Sequence, residues 1–255
     1  MPTELIKQAF RLGNSAGVIL PKEWENKKVR VQLIEKSITQ DIFEILEEKN
    51  LLSDVIGIYL TGSYARDEET PKSDIDVLII TNNTDKLVKY KDYEITAISK
   101  QSFEKNIQKS PFLLSQIKES KTILNNDLIE KYKKLLPNFT LNKYLEEIKS
   151  VAKINEDSVY FSEEYNEKVL DGTAYSIILR LRELYLIDCL LKNKKCSKKE
   201  FLTLIKISEN SEYYEAYLRV KNDKPSKDNL SVEEGKRLLS LTKKLIKDLK
   251  DGKKR

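Results

Sequence analysis

"TGSYARDEETPKSDIDVLII", Thr61 to Ile80, is the stretch that decides how this chain is read. The apolar run Val55–Leu60 ends at Thr61-Gly62-Ser63; after ten intervening residues Asp74-Ile75-Asp76 opens a second apolar run. Side chains alternate across a strand, so Asp74 and Asp76 project together while Ile75 and Val77 point into a core. Two carboxylates about 7 Å apart on one strand edge repel each other unless a cation sits between them. A divalent ion is the expected resident. Gly62-Ser63 falls at the carboxyl end of the preceding strand, before a short helix expected near Tyr64. Glycine lets a phosphate approach the backbone, the serine hydroxyl can donate to it, and free N–H groups at a helix start favour anions. A phosphate cradle beside paired carboxylates is the minimum equipment for phosphoryl or nucleotidyl transfer. A plainer alternative has the two acids only capping a turn after Lys72-Ser73.

The rest of the composition narrows the chemistry. The 255 residues contain no histidine, which excludes a Ser-His-Asp or Cys-His pair, a histidine metal ligand and an imidazole base. Acid-base work then falls to carboxylates, lysines or tyrosines, and carboxylates without histidine favour magnesium over zinc. Cys189 and Cys196, the two cysteines, make neither a disulfide framework nor a zinc site. A formal net charge of +5 permits an anionic partner without demanding one. The longest run free of charge, Val55–Ala65, is far shorter than the roughly 20 residues of a membrane span. The N-terminus lacks the apolar core of a signal peptide, so a cytoplasmic protein with no membrane partner is expected.

Three segments follow from periodicity, giving an α+β multidomain chain. Residues 1–36 read as a small β-hairpin module: a loose strand in "LIKQAFRL", a Gly-Asn turn, an apolar strand stopped at Pro21, and an alternating strand in "KKVRVQLI". So few residues cannot bury a core alone, and must pack on the rest of the chain or on a second copy. Residues 37–130 alternate helix and strand, with a capping box at Ser37 and Gln40 and strands in "VIGIYLT", "DVLIIT" and "YEITAIS". A helix from about Ser102 is interrupted at Pro111. Residues 131–255 read as an all-helical bundle around "DGTAYSIILRLRELYLIDCLLKN", which is apolar nearly all round. Ser197 with Glu200 and Ser231 with Glu234 mark two further helix starts.

Gly62-Ser63, ten residues, then Asp74-Ile75-Asp76, together with Ala65, Arg66, Ser73 and "VLII", resembles the minimal nucleotidyltransferases of the DNA polymerase β superfamily. The resemblance implies a mixed-sheet nucleotidyltransferase domain with Gly62, Ser63, Arg66 and Ser73 at the nucleotide. It implies that Asp74, Asp76 and a third carboxylate bind two magnesium ions, the third also helping to deprotonate the acceptor. Counting back from Phe103 puts Glu94 in that third position; Asp92, on the same face, is the alternative. Arg66 is equally readable as a phosphate contact or a surface ion-pair partner. One residue departs from the pattern. Asp67 stands where the family usually carries glycine, and either weakens nucleotide binding or points outward harmlessly.

The flanks carry looser resemblances. "RLGNSAGVILPKEW" and "KKVRVQLIE" resemble AbrB/MazE-like swapped-hairpin modules, which implies a homodimer whose basic face binds DNA through Lys7, Arg11 and Arg30. Residues 1–36 hold seven Lys/Arg against four Glu, which permits phosphate contacts without requiring them. The helical third resembles the bundles that follow kanamycin-type nucleotidyltransferase domains, and more loosely the HEPN bundle, whose ribonuclease chemistry needs a histidine this chain lacks. Tyr175, Tyr185, Tyr213, Tyr214 and Tyr217 either line an acceptor cleft or belong to the core. The function implied is transfer of a nucleoside monophosphate, by default AMP from ATP, to a hydroxyl of a protein or small-molecule acceptor with release of pyrophosphate. Transfer to a protein would suit a toxin-antitoxin setting. The alternative is a DNA-binding, antitoxin-like regulator whose nucleotidyltransferase fold senses nucleotide or serves as a scaffold.

Overall fold

The computed structural model describes residues 5–7, 9–32, 37–71, 73–208 and 210–252. The chain divides into two compact units, Met1–Asp41 and Ile42–Arg255. In the first, β1 (Phe10–Leu12) and β2 (Ser15–Gly17) pair antiparallel with Leu12 opposite Ser15, leaving Gly13-Asn14 as a two-residue loop. Gly13 has φ +60°, the sign that primed hairpin turns require. Pro21 is followed by a single 3-10 turn at Lys22–Trp24. None of the described residues before Ile42 is buried, and Ile6, Ile19 and Val31 are 81%, 71% and 77% exposed. The alternating strand expected over 27–34 is corrected: residues 27–32 form none, while Leu33 and Ile34 lie outside the described residues. Alternation makes a strand only where a neighbour supplies the ladder.

The second unit is a five-stranded mixed sheet with helices. α1 (Ile38–Glu48) opens with the reciprocal bonds of its capping box, Ser37 N–H to Gln40 Oε1 at 3.0 Å and Gln40 N–H to Ser37 Oγ at 3.2 Å. It buries Ile42, Ile45 and Leu46. β3 (Val55–Leu60) leads through the single-turn α2 (Gly62–Ala65) to β4 (Ile75–Thr81), then β5 (Lys86–Tyr90) and β6 (Tyr93–Ser99). α3 (Lys100–Asn106) and α4 (Pro111–Glu119) follow, then β7 (Lys121–Leu124) and α5 (Asn126–Lys133). The strand order is β5-β6-β4-β3-β7, with β4 and β6 parallel and the other pairs antiparallel.

Local rules place most of these elements. Pro111 stands in the first turn of α4, and Ser110 caps it by accepting the Leu113 N–H at 3.2 Å. β5 and β7 are not expected from the sequence. Both are lysine-bearing edge strands, and in β5 only Val88 is buried, so neither carries an apolar run. Tyr59, Leu78 and Ile80 share one face of the sheet and pack with Phe103, Leu114, Ile117 and Ile129. Val77 and Ile79, on the opposite face, are also buried, so β4 is covered on both sides beyond Asp76. Gly57 leaves room for the Tyr59 hydroxyl, which a Cβ there would meet at 2.2 Å.

The remaining helices are α6 (Leu141–Glu164), α7 (Asp171–Leu191), α8 (Lys198–Ile205), α9 (Glu212–Lys221) and α10 (Val232–Gly252). α7 feeds three apolar clusters: Ala174, Ile177 and Leu181 in one, Leu184 and Ile187 in a second with α6 and α10, and Leu190 in the core under the sheet. That is why its sequence is apolar nearly all round. Ser197 and Ser231 cap α8 and α10 through the Glu200 and Glu234 N–H groups, at 3.4 and 3.3 Å. Asp171, fully buried, receives Arg219 in a two-pronged pair at 2.6 and 2.9 Å, and the Lys227 and Asp228 N–H groups at 3.2 and 3.3 Å. This pair fastens the end of α9 to the start of α7. Among the described residues no helix is long and apolar enough to cross a membrane.

Candidate active site

The site is built where β4 opens. The ladder between β3 and β4 continues one residue past Leu60, because the Thr61 N–H donates to the Asp76 carbonyl at 2.9 Å. The chain then turns at Gly62 with φ +67°, and a Cβ there would lie 2.0 Å from Asp76 Oδ2. Glycine is thus required by the carboxylate beside it, as well as by the left-handed backbone. Ser63 follows, half-exposed, at the start of α2.

Across the sheet, Asp76 of β4 is in direct register with Glu94 of β6. Asp92 precedes β6, and its carbonyl accepts the Ile75 N–H at 2.7 Å. Asp74, just ahead of β4, takes the Lys221 ammonium at 3.1 Å on Oδ2. Burial pushes the Asp76 carboxyl above its ordinary value; Lys221 opposes this, and Glu94 and Asp74 add to it. Three carboxylates therefore stand where β4 and β6 open, and Asp76 feels the other two. They suit a hard divalent ion in kind, being oxygen donors with no soft ligand among them. Their oxygens are not drawn together: among the described residues no three His, Cys, Asp or Glu side chains converge to hold an ion. Asp74 is turned onto Lys221, and Glu94 lies 4.0 Å from Lys89.

Arg66 and Ser73 have partners of their own. The Arg66 guanidinium donates to Glu68 at 2.9 Å and to Glu119 at 2.8 Å, and Glu68 also accepts the Lys198 N–H at the start of α8. Burial raises the Glu119 carboxyl and Arg66 pulls it back. Ser73 closes a turn, accepting the Thr70 N–H at 2.9 Å. Asp67 has φ +57° and a side chain 79% exposed, paired with Lys121. Its position demands the left-handed region, which glycine enters freely and aspartate tolerates. The departure from the expected glycine is thus met by the backbone, with the acid pointing outward.

Tyr213, Tyr214 and Tyr217 are buried in the cluster of α7, α8 and α9, and Tyr175 stacks on Tyr217 at 5.4 Å between ring centres. Tyr185 bonds Glu200 and the Ser197 N–H. Tyr213 donates its hydroxyl to the Ser231 carbonyl and Tyr217 accepts from Arg182, while Tyr175 and Tyr185 are half-buried against the same cluster. In the first unit Lys7, Arg11 and Arg30 are exposed. Sequence reasoning missed Lys221, which lies 147 residues from Asp74, and Glu119; neither belongs to a local pattern.

A family model described as a nucleotidyltransferase domain matches residues 39–239, most of the chain. The chain belongs to that family. The nucleotidyltransferase match runs from Thr39 in α1 to Leu239 in α10, so it takes in the helices as well as the sheet. Among solved structures, this nucleotidyltransferase is similar to a nucleotidyltransferase-like protein from Exiguobacterium sibiricum, at 14% identity over 83% of this chain and 75% of that one, with TM-score 0.34. It is also similar to a spectinomycin adenyltransferase from Enterococcus faecialis solved with ATP and spectinomycin, at 15% identity over 81% of this chain and 98% of that one, with TM-score 0.41. No curated protein matches the chain.

Proposed function

We propose that the protein transfers a nucleoside monophosphate, by default AMP from ATP, to a hydroxyl of a protein or small-molecule acceptor, with release of pyrophosphate. The observation that carries this reading is the register of Asp76 with Glu94 on adjacent parallel strands, with Gly62 folded against Asp76. In this reading Asp74, Asp76 and Glu94 hold two magnesium ions, which supply positive charge to the triphosphate as pyrophosphate leaves. The main chain at Gly62 and the Ser63 hydroxyl hold phosphate oxygens. Glu94, half-exposed on β6 beside Asp76, accepts the proton of the attacking hydroxyl. Arg66 acts through Glu68 and Glu119 to hold the loop after α2; Ser73 keeps the turn that delivers Asp74.

Magnesium-dependent release of pyrophosphate from labelled ATP tests the reading. It should be lost in Asp76→Asn. Equal release by that variant would remove these carboxylates from the reaction.

A second reading has the first unit bind DNA, alone or as a homodimer, with Lys7, Arg11 and Arg30 on phosphates. The exposed apolar side chains of its hairpin segment and the exposure of those three cations favour it. DNA binding that persists in Asp76→Asn and falls steeply with salt would support it.

A further inference from the structure

We infer that Lys221 is a tethered counter-cation, which occupies the carboxylate edge in the metal-free protein and must be displaced before an ion can bind. The inference rests on the nucleotidyltransferase reading above. Lys221 is the last residue of α9, two positions after Arg219, whose guanidinium is locked on buried Asp171 at 2.6 and 2.9 Å. The backbone at Lys221 is therefore held, and its ammonium reaches Asp74 Oδ2, at 3.1 Å, through the side chain alone. Its charge also acts on Asp76. One ammonium thus offsets the repulsion between two carboxylates that a strand edge places side by side.

Of the other cations near this edge, Arg66 is bonded to Glu68 and Glu119, and Lys89 stands 4.0 Å from Glu94 at the far side of the edge from Asp74. The Lys221–Asp74 pair is half-open to water, with side chains 43% and 39% exposed. Such a pair is screened and exchanges easily. Four methylenes let the ammonium swing away without moving α9. Asp74 is available to a metal only in the fraction of molecules where Lys221 has swung out, and the apparent affinity for the ion is reduced by that fraction. The contact also explains why the three carboxylates suit an ion in kind yet are not gathered around one point.

The test uses the full chain without nucleotide and Mn²⁺ as the probe, with free Mn²⁺ read by electron paramagnetic resonance and Mg²⁺ as competitor. Four proteins are compared: wild type, Lys221→Met, Lys221→Arg and Asp76→Asn, each checked for folding by circular dichroism. Lys221→Met should bind Mn²⁺ roughly two- to fivefold tighter than wild type, the range spanned by an exposed ion pair. Lys221→Arg should stay near wild type, and Asp76→Asn should lose the site. Equal or weaker binding by Lys221→Met, with binding still dependent on Asp76, overturns the inference and leaves the proposed function standing. If no protein shows Mn²⁺ binding that Asp76→Asn removes, the metal-dependent reading itself falls, and the inference with it.

Discussion

Gly62 and Asp76 are fitted to each other: the missing side chain of one leaves the space that a carboxylate oxygen of the other fills, 2.0 Å from where a Cβ would stand. Two requirements meet at that glycine, a left-handed φ of +67° and contact with the central acid of the site. Gly62→Ala should therefore lower stability by about 1–3 kcal/mol and reduce pyrophosphate release more than tenfold by moving Asp76. Urea unfolding and a turnover assay on the same preparation check both halves. Wild-type turnover in a stable Gly62→Ala protein would separate the glycine from the reaction.

Asp76 carries a cost that depends on pH. Burial holds its carboxyl above the ordinary value, with Glu94 and Asp74 pushing the same way and Lys221 and Arg66 opposing. The folded state therefore keeps the proton at a pH where the unfolded chain has released it. The charged form destabilises the fold above the raised pKa, and the penalty fades as pH falls toward 3.8. In EDTA, Asp76→Asn should melt a few degrees above wild type at pH 7, with the gap closing toward pH 3.8. Thermal melts at a series of pH values measure this, and a variant that melts lower at pH 7 contradicts it.

Glu94 and Asp92 differ in what their neighbours make of them. The register sets Glu94 beside Asp76, whereas Asp92 stands outside β6 with its carbonyl engaged by Ile75. Glu94→Gln should lower turnover by about 10²-fold or more, the range of a lost general base, and Asp92→Asn by less than threefold. Steady-state pyrophosphate release decides between them.

Asp171 is the buried charge on which the end of α9 depends. Arg219 holds its carboxyl below the ordinary range, with burial opposing and the Lys227 and Asp228 N–H groups helping. That stability is present above the ordinary aspartate value and is lost as pH falls through the depressed one. Asp171→Ala leaves Arg219 without its partner and should cost about 3–5 kcal/mol, read as a lower urea midpoint.

Asp67 should prove innocent. Its side chain is exposed, paired with Lys121, and its φ of +57° is one that glycine adopts without strain. Asp67→Gly should leave turnover within about twofold, since surface changes away from strained or buried features do little. A large gain in turnover would mean that the acid does hinder nucleotide.

The elements that could be read in advance are those governed by local rules. β3 and β4 are continuous apolar runs, β6 alternates, Pro111 divides two helices, and Ser37, Ser197 and Ser231 cap helices in the expected places. β5 and β7 escaped because an edge strand needs only one neighbour and can be lysine-rich on its open side. The third hairpin strand failed in residues 27–32 for the converse reason, alternation without a partner. Alternation alone left Glu94 and Asp92 on one face; the parallel register of β4 and β6 sets Glu94 beside Asp76.

The sequence by itself determined the family, the glycine turn and the acids that open β4, because strand periodicity, turn chemistry and spacing all act within some twenty residues of chain. Only the tertiary structure decided that Asp76 fills the space beside Gly62, that Glu119 and Glu68 claim Arg66, and that Lys221 reaches Asp74 across 147 residues. Such contacts depend on where packed helices deliver the ends of long side chains, and no local pattern records that.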